Sequence, residues 1–286
     1  MATSDARPAN RDICLATLRE TDRDRYLACL LAPEEKRRAL AALYAFNAEL
    51  ARIRDLVHEP LPGEVRMQYW RDLLEGHSHG STEANPLASE LLLAIDEHRL
   101  PRQTLINMIE ARIFDLYDDP METRHSLEGY AGETASALIQ LASLVLSPED
   151  AARSATAAGH AGVAQAIAGL VLLMALHRSR GQLYLPLEIL AATGLDRDAF
   201  MRGDDIPRIS AAIEAFAGLG REHLAKARAA GDISKQVFPA FLPVSLAESV
   251  LVGAQKSGAQ IFDRPMQTPQ WKRQLRMAIS AVRKRL

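Results

Sequence analysis

This sequence has few cysteines and few aromatic residues, and its positive and negative charges nearly balance. The 286 residues include two cysteines, Cys14 and Cys29, whose spacing fits neither a metal site nor a disulfide framework. This scarcity favours a reducing compartment. The net charge is −2 and aromatic residues make up 5% of the chain, so there is no basic, aromatic surface of the kind that binds nucleic acid.

Long hydrophobic runs are also missing. The longest, Val163–Leu176, has about 14 residues and contains Gln165, whereas a bilayer span needs roughly 20 apolar residues. The polar N-terminal segment carries no secretory signal. The sequence therefore predicts a cytoplasmic protein without a transmembrane segment. It also allows peripheral contact with an inner membrane.

Strand-like alternation is absent, and helical periodicity fills the chain. Alanine, leucine, glutamate, arginine and glutamine dominate the long segments, and all are good helix formers. We predict an all-α, single-domain helical bundle over residues 1–286, with a core at about 22–252. The predicted helices are 9–19, 22–31, 34–57, 63–75, 85–98, 102–118, 124–146, 148–177, 186–192, 207–229, 237–252 and 270–284.

The basic helix predicted at 270–284 is amphipathic. Trp271, Leu275, Ala278, Ile279 and Val282 share one face, and residues 271–286 contain six cations and no acidic side chain. A helix of this kind can lie on a membrane surface. The favoured interpretation is that the apolar face packs into the core and the basic face is solvated.

Several apolar and aromatic segments occur in a fixed order: Tyr26–Pro33, Leu43–Phe46, Met108–Leu116, Tyr130–Ala135 and Gly181–Pro186. Their order and spacing resemble the squalene/phytoene synthase family over most of the chain. The resemblance implies a helical bundle of the isoprenoid synthase type. It also implies head-to-head coupling of two prenyl diphosphates, with magnesium held by two aspartate-rich motifs on facing helices.

Both of the implied motifs have lost carboxylates. Taken from Tyr44, the first motif falls on Ala51, Arg52 and Asp55, of which only Asp55 is acidic, while Glu49 is nearby but one turn early. The second motif falls on Leu173 and His177, or in the alternative register on Leu172 and Leu176. No Asp or Glu occurs from residue 151 to 187, so either register lacks a carboxylate.

A narrower resemblance accounts for these losses. The sequence resembles the squalene/phytoene synthase-like assembly factors of respiratory complex I in six segments: Ala45–Asp55, Arg66–Trp70, His177–Arg180, Leu185–Pro186, Phe238–Leu242 and Val244–Leu246. This resemblance implies a non-catalytic protein whose partners are complex I subunits or assembly intermediates, and no cofactor is expected. Two alternatives stay open. One is a divergent prenyl-diphosphate transferase, which would need magnesium, and the other is a lipid or isoprenoid carrier.

The former active-site cavity supplies the candidate binding residues. We hypothesise that arginines now bind an anion directly, either a lipid head group or a prenyl diphosphate, with Arg52 and Arg54 facing Arg178 and Arg180. The candidate pocket residues are Tyr44, Asn47, Glu49, Arg52, Asp55, Asp115, Gln165, His177, Arg178 and Arg180.

No metal site is expected, although two weak candidates exist. Asp115, Asp118 and Asp119 have the spacing of one side of a helix, but a second set of ligands is missing from the sequence. The pair His77 and His79 lies in a Gly/Ser-rich loop, which is a weak signal for a metal.

Overall fold

A computed structural model describes residues 6–77, 85–231, 233–264, 266 and 268–286, with the side chains of residues 6–12 left aside. No β-strand occurs in these ranges, which confirms the predicted all-α class. The helices are α1 Ala6–Thr21, α2 Arg23–Leu30, α3 Arg37–Leu56, α4 Pro60–Glu75, α5 Pro86–His98, α6 Arg102–Ile113, α7 Arg124–Ala131, α8 Ala137–Leu146, α9 Pro148–Arg153, α10 Ala155–Leu172, α11 Met174–Ser179, α12 Leu187–Ala192, α13 Arg197–Arg202, α14 Ile206–Ala229, α15 Phe238–Phe241, α16 Ala247–Ser257 and α17 Gln270–Arg283.

The chain divides into two compact units. The first unit comprises the described residues up to Tyr117 together with Ala137–Arg153 and Ile233–Ala240. The second unit comprises Asp118–Ser136, Ser154–Asp232 and Phe241–Leu286. The prediction of one domain over the whole chain stays a prediction.

Helix α3 is the centre of the first unit, where it contacts α1, α2, α4, α5, α6 and α8. A 3-10 turn, Glu34–Lys36, leads into it, and its two glutamates suit the positive end of the helix dipole. Every residue from Ala39 to Ala48 is buried, so this half of α3 is covered on all sides. The other half is more open, and it carries Arg52 and Asp55 on the surface.

Helix α10 is the centre of the second unit and packs against α14 and α16. It also lies close to a π-helical turn, Gly132–Ser136, at Gly162. A Cβ on Gly162 would lie 2.3 Å from the Cα of Ser136, so only glycine permits this approach. The hydroxyl of Ser136 donates to the carbonyl of Gly159 at 2.7 Å and fixes the contact.

Most of the predicted helices are present, but two of the long ones are interrupted in the structure. The predicted 124–146 helix is interrupted by the π-helical turn, and the predicted 148–177 helix is three helices separated at Ser154 and Leu173. Helix α13 was not predicted, because its six residues are too few to show a periodic pattern.

The favoured interpretation of the basic helix was wrong. In α17 the side chains of Trp271, Leu275, Ile279 and Val282 are exposed. The helix packs through its other side, where Met277 and Ser280 are buried. The strongly apolar face predicted core packing, but the helix packs against the protein through the less apolar face that contains Met277 and Ser280.

Two stretches of the described chain are long and apolar enough to cross a membrane, Ala155–Leu172 and Phe238–Phe262. Half of the first window and 72% of the second are buried in the protein. Buried core helices satisfy the same test of length and composition, so these stretches carry little weight as membrane spans.

Candidate functional site

Helix α3 carries five of the predicted site residues in the first unit. Tyr44 and Asn47 are buried, Glu49 is half-buried, and Arg52 and Asp55 are exposed. Burial falls along the helix because its first half is enclosed by neighbouring helices. The exposed charged side chains of this half are one cation and one carboxylate, rather than the carboxylate pair that a magnesium motif needs.

Tyr44 is a core residue. Its hydroxyl is fully enclosed and has no hydrogen-bond partner among the described residues, and the guanidinium carbon of Arg25 lies 5.8 Å from the ring centre. Burial raises the pKa of the Tyr44 hydroxyl far above its ordinary value of 10. The phenol therefore stays protonated, and its role in ligand binding stays a prediction.

Asn47, Arg112 and Asp115 form a polar cluster in the first unit. Arg112 donates from Nη1 to Oδ2 of Asp115 at 3.2 Å and from Nη2 to Oδ1 of Asn47 at 3.4 Å. The side chains of Arg112 and Asp115 are 15% and 11% exposed. The carboxylate is already paired with a guanidinium, so a magnesium ion bound there would meet a neighbouring positive charge.

The weak metal candidate at Asp115, Asp118 and Asp119 rested on a helix that extends to residue 118. That extension is wrong. Helix α6 ends at Ile113, a 3-10 turn ends at Leu116, and the backbone at Tyr117 is extended. The helical spacing that would bring the three carboxylates to one side therefore stops before Asp118, and both Asp118 and Asp119 are exposed.

The second candidate with a histidine lies at the end of α4. His77 Nδ1 lies 3.4 Å from Glu75 Oε2 and 3.9 Å from Asp72 Oδ1, while His79 falls outside the described residues. The three side chains of Asp72, Glu75 and His77 could meet a metal ion. Surface ion pairing accounts for this arrangement equally well, because His77 is well exposed to water.

The second degenerate motif spans a break between α10 and α11 in the second unit. Leu173 has φ −95° and ψ 2°, which ends α10, and α11 begins at Met174. Leu172 is half-buried, whereas Leu173 and Leu176 are 48% and 43% exposed. The implied carboxylate positions are therefore held by leucine or histidine in either register, and neither side chain offers an oxygen to a cation.

His177 borders a small cavity of the second unit. Its ring lies 4.7 Å from the ring of Tyr184, and Tyr184 lies 6.3 Å from Tyr130. The cavity measures about 10 Å³, which leaves room for no more than about one water molecule. Its other walls are formed by Leu170, Met174, Gln182, Leu183, Leu185, Phe200 and Phe216. This cavity cannot hold a prenyl chain.

Arg178 is committed to contacts within the second unit. Its Nε and Nη2 both donate to the carbonyl of Met201, at 3.1 and 2.9 Å, and its guanidinium lies 4.5 Å from the ring centre of Phe262. Gly203 ends α13 with φ +83°, and a Cβ there would lie 2.2 Å from Nη2 of Arg178. The residue holds α11 to the end of α13.

The other predicted residues of the second unit are less enclosed. Arg180 is exposed and Gln165 is half-buried on α10. The predicted anion site, with Arg52 and Arg54 opposite Arg178 and Arg180, stays a prediction.

A histidine pair with a glutamate is the polar cluster that sequence reasoning missed. His223 is 5% exposed, its Nδ1 lies 3.1 Å from Nδ1 of His160, and its Nε2 lies 3.1 Å from Oε1 of Glu128. If Nε2–H of His223 donates to the carboxylate, its Nδ1 can accept from His160. Burial first, and then the charge of His223, lower the pKa of His160.

Sequence comparison with known proteins finds a matching family model and several similar proteins. The family model described as squalene/phytoene synthase matches residues 18–274. Rat NADH dehydrogenase (ubiquinone) complex I, assembly factor 6 is 33% identical over 279 residues, which cover 97% of this chain and 84% of the relative. The human protein of the same name is 32% identical over 255 residues, covering 89% and 76%.

Solved structures of low sequence identity share the fold. A squalene synthase, HpnC from Alicyclobacillus acidocaldarius, has a TM-score of 0.72 at 16% identity, covering 88% of this chain and 95% of that one. A dehydrosqualene synthase solved with a ligand has a TM-score of 0.75 at 15% identity, covering 97% and 96%. The predicted fold type and the predicted family resemblance are both confirmed.

Proposed function

The chain belongs to the squalene/phytoene synthase family, and from this we propose that it is a non-catalytic member that serves as an assembly factor for NADH dehydrogenase (ubiquinone), complex I. The observation that carries the proposal is its similarity to the complex I assembly factor 6 proteins over nearly its whole length. Its partners are then complex I subunits or assembly intermediates. Its place is peripheral, at the inner membrane that houses the complex.

The residues at the degenerate motifs support the non-catalytic part of the proposal. Ionising a prenyl diphosphate requires stabilising a leaving group with several negative charges, and magnesium held by carboxylates supplies that stabilisation. Here Asp55 is the acid left at the first motif, beside Arg52, and the second motif has leucine or histidine at its carboxylate positions in either register. No cofactor is needed for an assembly role.

Deletion of the gene in the source organism tests the proposal. We expect less assembled complex I on native gels and lower NADH–ubiquinone oxidoreductase activity in membranes, both restored by the wild-type gene. The Asp55→Ala gene should restore them as well, because no bound magnesium is involved, and Asp204→Ala serves as a control at an exposed acid. Normal complex I in the deletion strain would remove the assembly role.

A prenyl-diphosphate transferase is the second candidate, favoured by the fold shared with the synthases and by the retained Asp55. Purified protein would be incubated with farnesyl or geranylgeranyl diphosphate and magnesium, and released pyrophosphate measured. We expect no release above the protein-free blank. Sustained release that Asp55→Ala abolishes would replace the assembly proposal by an enzymatic one.

A lipid or isoprenoid carrier is the third candidate. It is favoured by the surface leucines 173 and 176, which lie next to His177 and near the exposed Arg180. Organic extraction of the purified protein, followed by mass spectrometry, would identify a carried molecule. Binding of a prenyl diphosphate that is unchanged by EDTA would support direct anion recognition by the predicted pocket residues, and binding that EDTA abolishes would contradict it.

A further inference from the structure

Helix α17 presents an apolar strip to solvent. Trp271, Leu275, Ile279 and Val282 are 61%, 53%, 43% and 84% exposed. At 3.6 residues per turn these side chains, together with the exposed Ala278, fall within an arc of roughly 100° on one side of the helix. Contiguous apolar surface of this kind marks an interaction site more often than single exposed side chains do.

The fully buried residues of α17 lie outside the strip. The buried residues of α17 are Met277 and Ser280, which lie on the opposite side, and the helix contacts the 3-10 segment Leu242–Leu246. The fold therefore buries one face of α17, while the more apolar face is largely exposed to solvent.

Positive charge borders the strip. Residues 271–286 contain six cations and no acidic side chain. The helical spacing places Lys272, Arg276 and Arg283 side by side along the edge next to Ile279. Lys272 also lies 5.4 Å from the ring centre of Trp271. An apolar strip beside a row of cations is the arrangement of helices that lie in a membrane interface.

An open cleft of about 600 Å³ adjoins the same edge. Its polar lining consists of Arg228, Arg276, Arg283, Arg285, Ser245 and Ser280. Arg228 pairs with Glu248, so its charge is compensated. Arg283 and Arg285 form no ion pair with a side chain in the described part of the chain, so their guanidinium groups can bind an external anion.

We infer that α17 is a docking surface for a membrane that contains anionic phospholipid. The strip enters the acyl boundary, and Arg285 together with the cations of the helix edge holds lipid phosphates. In a membrane the anionic head groups lie directly above the apolar acyl chains. The strip can therefore contact acyl chains while the neighbouring arginines contact phosphates. A second copy of the chain fits poorly, because two α17 helices would bring six cations against six.

The inference rests on the proposed peripheral attachment, but not on the complex I role, because vesicle binding requires no complex I. If the deletion strain has normal complex I and the vesicle result holds, the docking surface stands alone. If vesicles do not bind, the assembly role is still tested by the deletion strain.

The full chain would be mixed with vesicles of phosphatidylcholine alone or of phosphatidylcholine with phosphatidylglycerol, and binding measured by co-sedimentation. We expect binding to the anionic vesicles and its loss at high salt. Tryptophan fluorescence gives a local readout, because the chain has two tryptophans and Trp70 is buried. A blue shift on vesicle addition that Trp271→Phe removes would place α17 in the interface.

Two sets of substitutions separate the contributions. Replacing Lys272, Arg276 and Arg283 with glutamine should weaken binding about fivefold per cation, or roughly a hundredfold together. Leu275→Ser with Val282→Ser should weaken it by at least about tenfold. The matched control, Leu61→Ser with Val65→Ser on α4, changes similarly exposed side chains and should leave binding unchanged.

Five results would overturn the inference. Three are equal binding to neutral and anionic vesicles, no binding to either, and unchanged binding of both sets of variants. The fourth is displacement by inorganic phosphate at millimolar concentration, which would mark a site for a free anion. A dimer in sedimentation velocity that Leu275→Ser with Val282→Ser converts to a monomer would assign the strip to a second copy instead. Circular dichroism of each variant establishes that it is folded.

Discussion

The ion pair between Arg38 and Glu90 fastens α3, the helix that carries the first half of the candidate site, to α5. Arg38 donates from Nε to Oε2 of Glu90 at 2.5 Å and from Nη2 to Oε1 at 2.8 Å. The side chain of Glu90 is 1% exposed and that of Arg38 is 34% exposed. The hydrogen bond to Glu90 is the main cause that raises the pKa of Arg38 above its ordinary value.

Arg38→Ala should destabilise the fold strongly, because it leaves a carboxylate buried without a cation. Breaking such a pair from one side costs about 3–5 kcal/mol. Water can reach the space left by a guanidinium that is one-third exposed, so we expect the lower end, about 3 kcal/mol. Replacing both partners, as Arg38→Met with Glu90→Leu, should recover stability to within about 1 kcal/mol of wild type, since no charge remains buried.

Urea unfolding followed by circular dichroism at the helix band measures both effects. Arg153→Ala is the matched control, because Arg153 pairs with Glu149 on the surface, where the two side chains are 69% and 77% exposed. Such a pair contributes about 0–1 kcal/mol. If Arg38→Ala costs no more than Arg153→Ala, or if the double replacement is as unstable as the single one, the buried pair does not hold α3 as argued.

Three further substitutions test other parts of the packing by the same urea method. Gly162→Ala should cost about 1–3 kcal/mol, since its Cβ would overlap the backbone of Ser136, whereas Gly159→Ala, with open space around it, should be neutral or stabilising. Burial lowers the pKa of His160 below 6.5, so the unfolded state binds a proton more readily than the folded state. The free energy of unfolding should therefore fall as the pH drops below about 6.5. His160→Gln should make the free energy of unfolding less dependent on pH in this range. Tyr44→Phe should be neutral or stabilising by up to about 1 kcal/mol, because the hydroxyl that it removes is buried without a partner among the described residues.

The features that could be predicted from the sequence are those set by local chemistry. The breaker Pro33 with Glu34 and Glu35 marks the start of α3 to within a few residues, and the alanine- and leucine-rich segments fix the helical class. The missing carboxylates of the degenerate motifs could also be read directly, because they depend on residue identity and not on geometry.

The polar contacts could not be predicted, because they join residues far apart in the chain. His160 and His223 are separated by 63 positions, and no pattern around either residue indicates the other. Arg178 looked like an anion-binding residue beside His177, yet its guanidinium is bound by a carbonyl 23 positions away. The exposed side of α17 was misassigned for a related reason, since amphipathicity shows that a face is apolar but not what covers it.

The break at Leu173 lies between Gln165 and Tyr184, the two residues from which the registers of the second motif are counted. The helix ends there and restarts at Met174, and the two registers differ by one residue. In the register counted from Tyr184, Leu173→Asp with His177→Asp would place two carboxylates four residues apart. We expect this variant to bind magnesium no more tightly than wild type in calorimetry. Magnesium needs near-octahedral oxygen ligands, and two carboxylates alone supply too few of them. Clearly tighter binding than in wild type would show that carboxylates at the second motif are enough to hold the metal.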